Sequence, residues 1–124
     1  MGRATNRAAH ALVRRHRQLL PALPSGYRAY PGPGGWTYLD LRESPMMLAR
    51  VLRVYEAPKF RALRAVLRPR DVFVDVGANK GDFSLFAARL MRDTGTVLCV
   101  EPEPANVGWI ERSVARNHYR SVEV

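Results

Sequence analysis

The stretch from Asp71 to Glu101 constrains the fold more tightly than any other part of the sequence. It begins with a β-branched and apolar run that ends at Val76. It then passes through a turn containing Gly77 and Gly81, a helical pattern and a second apolar run. Apolar runs without strict alternation are typical of strands in a parallel sheet, and parallel strands need a crossover helix between them. The segment therefore predicts an α/β fold with a strand-helix-strand unit at its centre.

The same pattern extends in both directions along the chain. Downstream, the sequence predicts a helix over residues 104–117 and the start of a third strand at residues 121–124. Because such crossovers are right-handed, the three strands should lie parallel in the spatial order 3-2-1. Upstream, helices are expected over residues 45–55 and from residue 57 to Pro69, after a short strand at residues 36–41.

The N-terminal part of the chain differs in character from the rest. Residues 4–20 predict a basic helix, and the Pro and Gly residues of positions 21–35 predict a linker or lid loop. We therefore expect two parts. Residues 1–44 would hold the basic helix, the Pro/Gly-rich linker and the short strand, and residues 45–124 would form the N-terminal half of a Rossmann-like domain.

The positive charge is concentrated near the N-terminus. The formal net charge is +9, and residues 1–39 hold six arginines and no Asp or Glu. Such a segment can engage nucleic acid, anionic lipid or an acidic partner, but it lacks the interleaved aromatic residues that base stacking requires. A solvated basic helix is the favoured interpretation. Nucleic-acid binding is a weaker alternative. An organelle transit peptide is a minor alternative, because such peptides are rich in Ser and this segment is poor in it.

Two further features concern the cellular setting. No apolar run approaches the roughly 18 to 20 residues that a membrane span requires, so we expect no membrane span. The single cysteine, Cys99, lies in an apolar run, where a buried and inert thiol is the usual finding. A disulfide scaffold is thereby excluded, and a cytoplasmic location is expected.

The turn after the first buried strand predicts a nucleoside site. Gly77 and Gly81 allow the backbone to turn tightly and a ligand to approach it, beside the free N–H groups of the next helix. Glu101 follows 24 residues after Gly77, at the carboxyl end of the neighbouring strand. An acid in that place can accept both hydroxyl hydrogens of a ribose.

Departures from two phosphate-binding patterns narrow the choice of nucleoside. Asn79 and Asp82 stand where a dinucleotide fingerprint needs its second and third glycines, and the spacing also fails the Walker P-loop. Asp82, which we expect to cap the helix, and the nearby Asp75 would repel a phosphate at this position. A cationic ligand suits the site better, and S-adenosylmethionine carries both a sulfonium and an ammonium group.

The residues at these two points resemble a known family. Phe73-Val74-Asp75-Val76-Gly77-Ala78-Asn79-Lys80-Gly81-Asp82-Phe83-Ser84 and Val100-Glu101-Pro102-Glu103-Pro104-Ala105-Asn106 are similar to the first two motifs of FkbM-type methyltransferases, D-x-G-A-N-x-G and E-P-x-P. The resemblance covers roughly residues 55–124. Lys80 departs from it, since a small or apolar residue is more usual there.

The resemblance implies a fold, an activity and a set of ligand-binding residues. The fold is that of a class I methyltransferase, and the activity is O-methyl transfer from S-adenosylmethionine to a hydroxyl of a small molecule or sugar. Glu101 would hold the ribose. The residues implied to wrap the methionine part, or to follow Glu101 in the second motif, are Asp75, Gly77, Ala78, Asn79, Gly81 and Pro102. No catalytic residue and no metal ligand is identified.

The family's fold has seven strands, whereas this chain reaches only the start of a third. We therefore expect an open edge at the first strand and an exposed apolar face of the sheet, and a truncated product, a fragment or a subunit that needs a second chain to complete the sheet. This leaves a second hypothesis, a catalytically incomplete nucleoside-binding or partner-dependent module.

Several polar residues receive a structural interpretation only. His10, His16 and His118 lack the spacing of metal ligands and are expected at the surface. Tyr55 and Glu56 precede the second of the two helices expected before the first buried strand. We expect them to pack beside each other, and contact with the cofactor or the acceptor is the weaker alternative.

Overall fold

The structure is a computed structural model that describes the backbone of residues 2–124 and the side chains of residues 7, 8 and 10–124. The described residues form five helices and five strands, with a short 3-10 turn at Leu20–Ala22. In chain order they are α1 (Gly2–Leu19), β1 (Arg28–Gly32), β2 (Gly35–Leu39), α2 (Pro45–Val51), α3 (Ala57–Val66), β3 (Val72–Val76), α4 (Asp82–Leu90), β4 (Thr96–Val100), α5 (Pro104–Arg116) and β5 (Val122–Glu123).

The last five elements form a β-α-β-α-β unit around a three-stranded parallel sheet. The strand order is β3-β4-β5, so that β4 lies in the middle. Val72 pairs with Thr96 and Val76 with Val100, while Val97 pairs with Val122 on the other side. The prediction of a mixed α/β fold with parallel strands in the order 3-2-1 is confirmed, and the arrangement is compatible with a Rossmann-like one.

The core of this unit lies on one face of the sheet. On β4, Val97 packs with Ala87, Ala88 and Met91 of α4. One pleat further along, Cys99 packs with Ile110 of α5. Because alternate strand residues point to the same face, both crossover helices cover a single side of the sheet. Cys99 is buried, as its apolar setting predicts.

The opposite face of the sheet is apolar and exposed. Val72 is 66% exposed, Val74 51%, Val76 78% and Val100 50%. The strand expected to be buried is covered on one face only, because α4 and α5 lie on the same side of the sheet, and the other face is exposed and apolar, as expected for an incomplete sheet. The expected open edge is present, since β3 ends the strand order.

The N-terminal part contains an antiparallel hairpin in which β1 pairs with β2. Our prediction of a loop over residues 21–35 is wrong for residues 28–32, which form β1. Pro31 is tolerated there because an edge strand can lack one N–H donor. The hairpin packs on α5, where the N–H of Tyr38 donates to Ser113 Oγ at 3.1 Å.

Helix α1 packs against α2. It contains a histidine that was expected at the surface and is buried. His16, expected at the surface, is 7% exposed, and its Nε2 lies 2.9 Å from the carbonyl oxygen of Leu41. No local pattern predicts this contact, because Leu41 is 25 residues away along the chain. His10 and His118 are exposed, as expected. Among the residues that the structure describes, every helix is too short or too polar to cross a membrane.

Candidate functional site

The candidate site lies where the chain leaves β3 at its carboxyl end. A pocket of about 330 Å³ opens there. One wall is formed by the turn after β3 and the start of α4, with Asp75, Gly77, Ala78, Asn79 and Asp82. The other wall comes from α2, α3 and the loop between them, with Arg50, Tyr55, Glu56 and Lys59. Four of the residues that the sequence predicted thus line one pocket.

The turn owes its shape to left-handed backbone conformations. Gly77 has φ +74°, Asn79 +56° and Gly81 +79°, values that glycine adopts without strain and that asparagine tolerates better than most residues. A Cβ at Gly77 would meet nothing within 4 Å, whereas one at Gly81 would meet the side chain of Ile110 at 3.1 Å. Gly77 therefore leaves open space beside the pocket, and Gly81 allows close packing of the turn on α5.

Glu101 lies at the end of β4 and is held by three donors. Its Oε2 accepts from the backbone N–H of Asn79 at 2.7 Å, and its Oε1 from the N–H of Glu103 and from Asn106 Nδ2. Burial works against its ionisation, but these hydrogen bonds outweigh burial and lower the pKa of Glu101. The carboxylate is therefore fixed in its charged form beside the turn, with acceptor capacity left on Oε2. Pro102 is exposed next to it.

Asp75 is a buried carboxylate at the bottom of the pocket. It is 8% exposed, and Ser84 Oγ donates to its Oδ2 at 2.7 Å. Burial raises the pKa of Asp75, although the Ser84 hydrogen bonds act in the opposite direction. Among the described residues no cationic side chain pairs with it. An additional cation in the pocket would relieve the cost of this buried charge.

Asp82 does not cap α4, which corrects the expectation from the sequence. It is the first residue of the helix, and Gly81 occupies the cap position. Its Oδ2 instead forms a buried ion pair with Arg50 Nε at 2.7 Å. The guanidinium group of Arg50 also lies over the ring of Tyr55, 4.1 Å from its centroid. The site is therefore less negative than the sequence suggested, because one of its carboxylates is neutralised.

Sequence reasoning missed part of the site. Arg50 carried no signal, because its partner lies 32 residues further along the chain. Tyr55 and Glu56 were set aside as structural, yet both line the pocket. Their position in the stretch that resembles the family was a signal that could have included them.

Lys80 joins the turn to the N-terminal hairpin region. It is 2% exposed, and its Nζ contacts three oxygens: Tyr27 Oη at 2.6 Å, Asn106 Oδ1 at 2.7 Å and Glu43 Oε2 at 2.9 Å. An ammonium group has three donors, so these contacts satisfy it. Burial works against ionisation of Glu43, but hydrogen bonds from Tyr27 and Lys80 outweigh it and lower the pKa of Glu43.

One residue, Asn106, connects the contacts of Lys80 to Glu101, the candidate ribose acceptor. Asn106 accepts from Lys80 through Oδ1 and donates to Glu101 through Nδ2. On the other side, the ring of Tyr27 stacks on Trp109 of α5, with centroids 4.1 Å apart and planes 5° from parallel. Lys80, the one departure from the family pattern in the turn, thus fixes the position of Asn106.

The described residues contain no group of three His, Cys, Asp or Glu side chains that could hold a metal ion. In comparisons with protein families, curated proteins and solved structures, nothing matches this chain. Function is therefore inferred from the site itself.

Proposed function

We propose that this chain carries the cofactor-binding part of a class I, S-adenosylmethionine-dependent methyltransferase of the FkbM type, acting in the cytoplasm. The observation that carries the proposal is the meeting of Asp75, the Gly77–Gly81 turn and Glu101 at the carboxyl ends of two adjacent parallel strands. Ligands of open α/β folds bind in this place.

The charges of the pocket fit the amino-acid end of the cofactor. Asp75 is a buried carboxylate without a cationic partner among the described residues, and Arg50 lines the opposite wall. A zwitterionic α-amino acid brings an ammonium group for Asp75 and a carboxylate for the guanidinium N–H groups of Arg50 that its ion pair with Asp82 does not use. A pyrophosphate would instead bring two further negative charges next to Asp75 and Glu101.

The nucleoside end is assigned to Glu101. Its pKa is lowered by the hydrogen bonds described above, so it is ionised at neutral pH and acts as an acceptor only. Ribose hydroxyls are donors, and a charged acceptor forms stronger hydrogen bonds with them than a neutral one. Pro102 and the N–H groups of the turn then border the rest of the nucleoside.

When bound, the cofactor supplies an electrophilic methyl group on its sulfonium. The residues of this chain orient it and shield it from water, and rate acceleration in such a transfer comes mainly from positioning. The acceptor is proposed to be a hydroxyl group of a small molecule or a sugar.

Isothermal titration of S-adenosylhomocysteine into the purified 124-residue chain tests the proposal. We expect saturable binding that Glu101→Ala weakens by about tenfold or more, because a charged acceptor is lost. Glu111→Ala is the matched control, since Glu111 is exposed on α5 and its removal should leave the affinity unchanged. Circular dichroism of all three proteins establishes that they are folded.

Absence of binding by the folded wild-type chain would overturn the proposal. Equal losses in the Glu101 and Glu111 variants would also overturn it, because the effect would then reflect overall charge and not the ribose site.

The bare sheet face favours a second candidate, a nucleoside-binding module that functions only with a partner. Val72, Val74, Val76 and Val100 are at least half exposed, whereas parallel sheets are normally covered on both faces. This candidate predicts that the 124-residue chain binds S-adenosylhomocysteine but transfers no methyl group by itself. Methyl transfer by the isolated chain would reject it.

A further inference from the structure

A second concave surface lies at the opposite end of α4 from the candidate site. It is a groove of about 730 Å³ between α3, the C-terminal end of α4, the turn of the hairpin and the loop after α2. Five of its ten lining residues are arginines, and we call it the arginine groove: Arg53, Arg61, Arg64, Arg89 and Arg92. No acidic residue of the described chain lines it.

The charge of the arginine groove is not balanced by the protein. None of the three ion pairs among the described residues involves a groove arginine. Asp93 adjoins Arg92 in sequence, but its carboxylate accepts from the backbone N–H groups of Arg120 and Ser121. The C-terminal dipole of α4 offsets only about half a charge. Five guanidinium groups thus face one groove and repel each other.

Neighbouring groups hold parts of this arrangement in place. Arg89 donates to the carbonyl oxygen of Pro33 at 3.2 Å. The guanidinium carbon of Arg64 lies 5.6 Å from the ring centroid of Phe86, and Phe60 meets Phe86 edge to face. Guanidinium groups positioned in this way are suited to bidentate binding of phosphate oxygens.

The volume of the arginine groove and the aromatic residues that line it indicate which class of anion it can bind. Its volume falls within the range of about 300–1,000 Å³ that is typical of small-molecule sites. Proteins that bind single-stranded nucleic acid offer open aromatic rings for base stacking, but Phe86 is only 2% exposed and lies beneath Arg64. Phe60, the other aromatic residue of the lining, is half-buried and packs against Phe83 and Phe86. The groove therefore offers charge with little open ring surface for stacking.

We infer that the arginine groove is a binding site for a small ligand that carries several clustered phosphate groups. The site is separate from the nucleoside pocket, with which it shares no lining residue, and it does not depend on the proposed methyltransferase function. Bound anion removes the repulsion between the arginines, so the ligand stabilises the folded chain by mass action.

The backbone offers a variant that removes charge without straining the fold. Arg53 and Arg92 have φ values of +56° and +55°, where glycine fits better than arginine. Arg70 has φ +70° and is also exposed, but it lies outside the groove. Arg70→Gly is therefore the matched control for each single substitution, Arg53→Gly and Arg92→Gly, which the double variant Arg53→Gly/Arg92→Gly combines.

The probe is sodium tripolyphosphate, titrated at constant ionic strength and followed by calorimetry and by thermal unfolding. We expect saturable binding and a raised melting temperature in the wild type. Arg53→Gly/Arg92→Gly should bind about tenfold more weakly or worse, because charged hydrogen bonds are lost. Arg70→Gly should bind as the wild type does.

Three results would overturn the inference. The first is no saturable binding to the wild type. The second is an equal loss in Arg70→Gly, which would indicate a general effect of net charge. The third is much tighter binding of an oligothymidylate, or of vesicles with anionic headgroups, through the same arginines, which would assign the groove to a polymer or a membrane.

Discussion

The backbone N–H of Asn79 donates a 2.7 Å hydrogen bond to the carboxylate of Glu101. The two residues are 22 positions apart and leave adjacent strands. This bond ties the turn after β3 to the end of β4, so that the candidate ribose acceptor and the loop beside the pocket form one rigid unit. Glu101 is therefore expected to contribute to stability as well as to binding.

The first prediction concerns Glu101 and pH. Because hydrogen bonds lower the pKa of Glu101 in the folded chain, its contribution is present above the ordinary carboxyl pKa, about 4.3. It is lost as the pH falls through the lower folded value. Glu101→Gln should therefore reduce the loss of stability at acidic pH, measured as the urea midpoint between about pH 3 and pH 7. The same dependence of the urea midpoint on pH as in the wild type would contradict the assignment.

Asp75 should respond to pH with the opposite sign. Burial raises its folded pKa, so the folded chain binds more protons than the unfolded chain in that window, and stability falls as the pH rises through it. Asp75→Asn should therefore raise the melting temperature near pH 7 while it weakens S-adenosylhomocysteine binding by about tenfold or more. A less stable variant with unchanged binding would show that Asp75 is a structural residue.

Lys80 should matter far more than another lysine of the same region. Lys80→Met leaves Asn106 Oδ1 and Tyr27 Oη without their donor, which should cost about 1–3 kcal/mol of unfolding free energy. Lys59→Met is the control, because Lys59 is 64% exposed and pairs only with Glu56, a pair worth about 0–1 kcal/mol. Urea denaturation compares the two variants. Similar losses of unfolding free energy would show that the buried contacts of Lys80 contribute no more to stability than the exposed pair of Lys59.

Arg50 and Asp82 should behave as a coupled pair. Removing one partner leaves a buried charge, so Arg50→Met and Asp82→Asn should each cost about 3 kcal/mol or more. The double variant should cost at least about 1 kcal/mol less than the sum of the two. Additive losses in this double-mutant cycle would show that the ion pair does not form in solution.

Two glycines should give opposite results on substitution by alanine. A Cβ at Gly34 would lie 2.4 Å from the backbone nitrogen of Phe86, so Gly34→Ala must displace the hairpin from α4, at about 1–3 kcal/mol. A Cβ at Gly108, inside α5, would meet nothing within 4 Å, and Gly108→Ala should stabilise by about 0.5–1 kcal/mol. Thermal unfolding shows whether each variant is less or more stable than the wild type. Equal effects of the two substitutions would contradict the close packing of the hairpin on α4.

The central part of the fold could be predicted because its signals are local. The apolar run before Gly77, the helical spacing after Asp82 and the run that ends at Val100 each specify one element within a few residues. Right-handed crossovers then leave one strand order. The sequence placed Asp75, Ala78, Asn79 and Gly77 beside one another for the same reason, and their role as ligands of S-adenosylmethionine stays a prediction.

The errors concern contacts between distant parts of the chain. The sequence predicts a loop at residues 28–32 because Pro31 and the glycines nearby disfavour strands. They become a strand because β2 supplies the ladder partners and α5 a surface to pack on. Asp82 had the local signature of a cap, but a buried guanidinium group from α2 offers its carboxylate a stronger partner than a backbone N–H does.

The strand-turn-helix-strand unit, the order of its strands and the acid at the end of β4 could be predicted, since each depends on residues close together in the chain. Which charges are neutralised depends on the folded arrangement. Arg50 pairs with Asp82, and Lys80 is enclosed by Tyr27, Glu43 and Asn106, whereas the groove arginines form no ion pair among the described residues. Electrostatic energy depends on distance and burial in space, and neither can be read from positions along the chain.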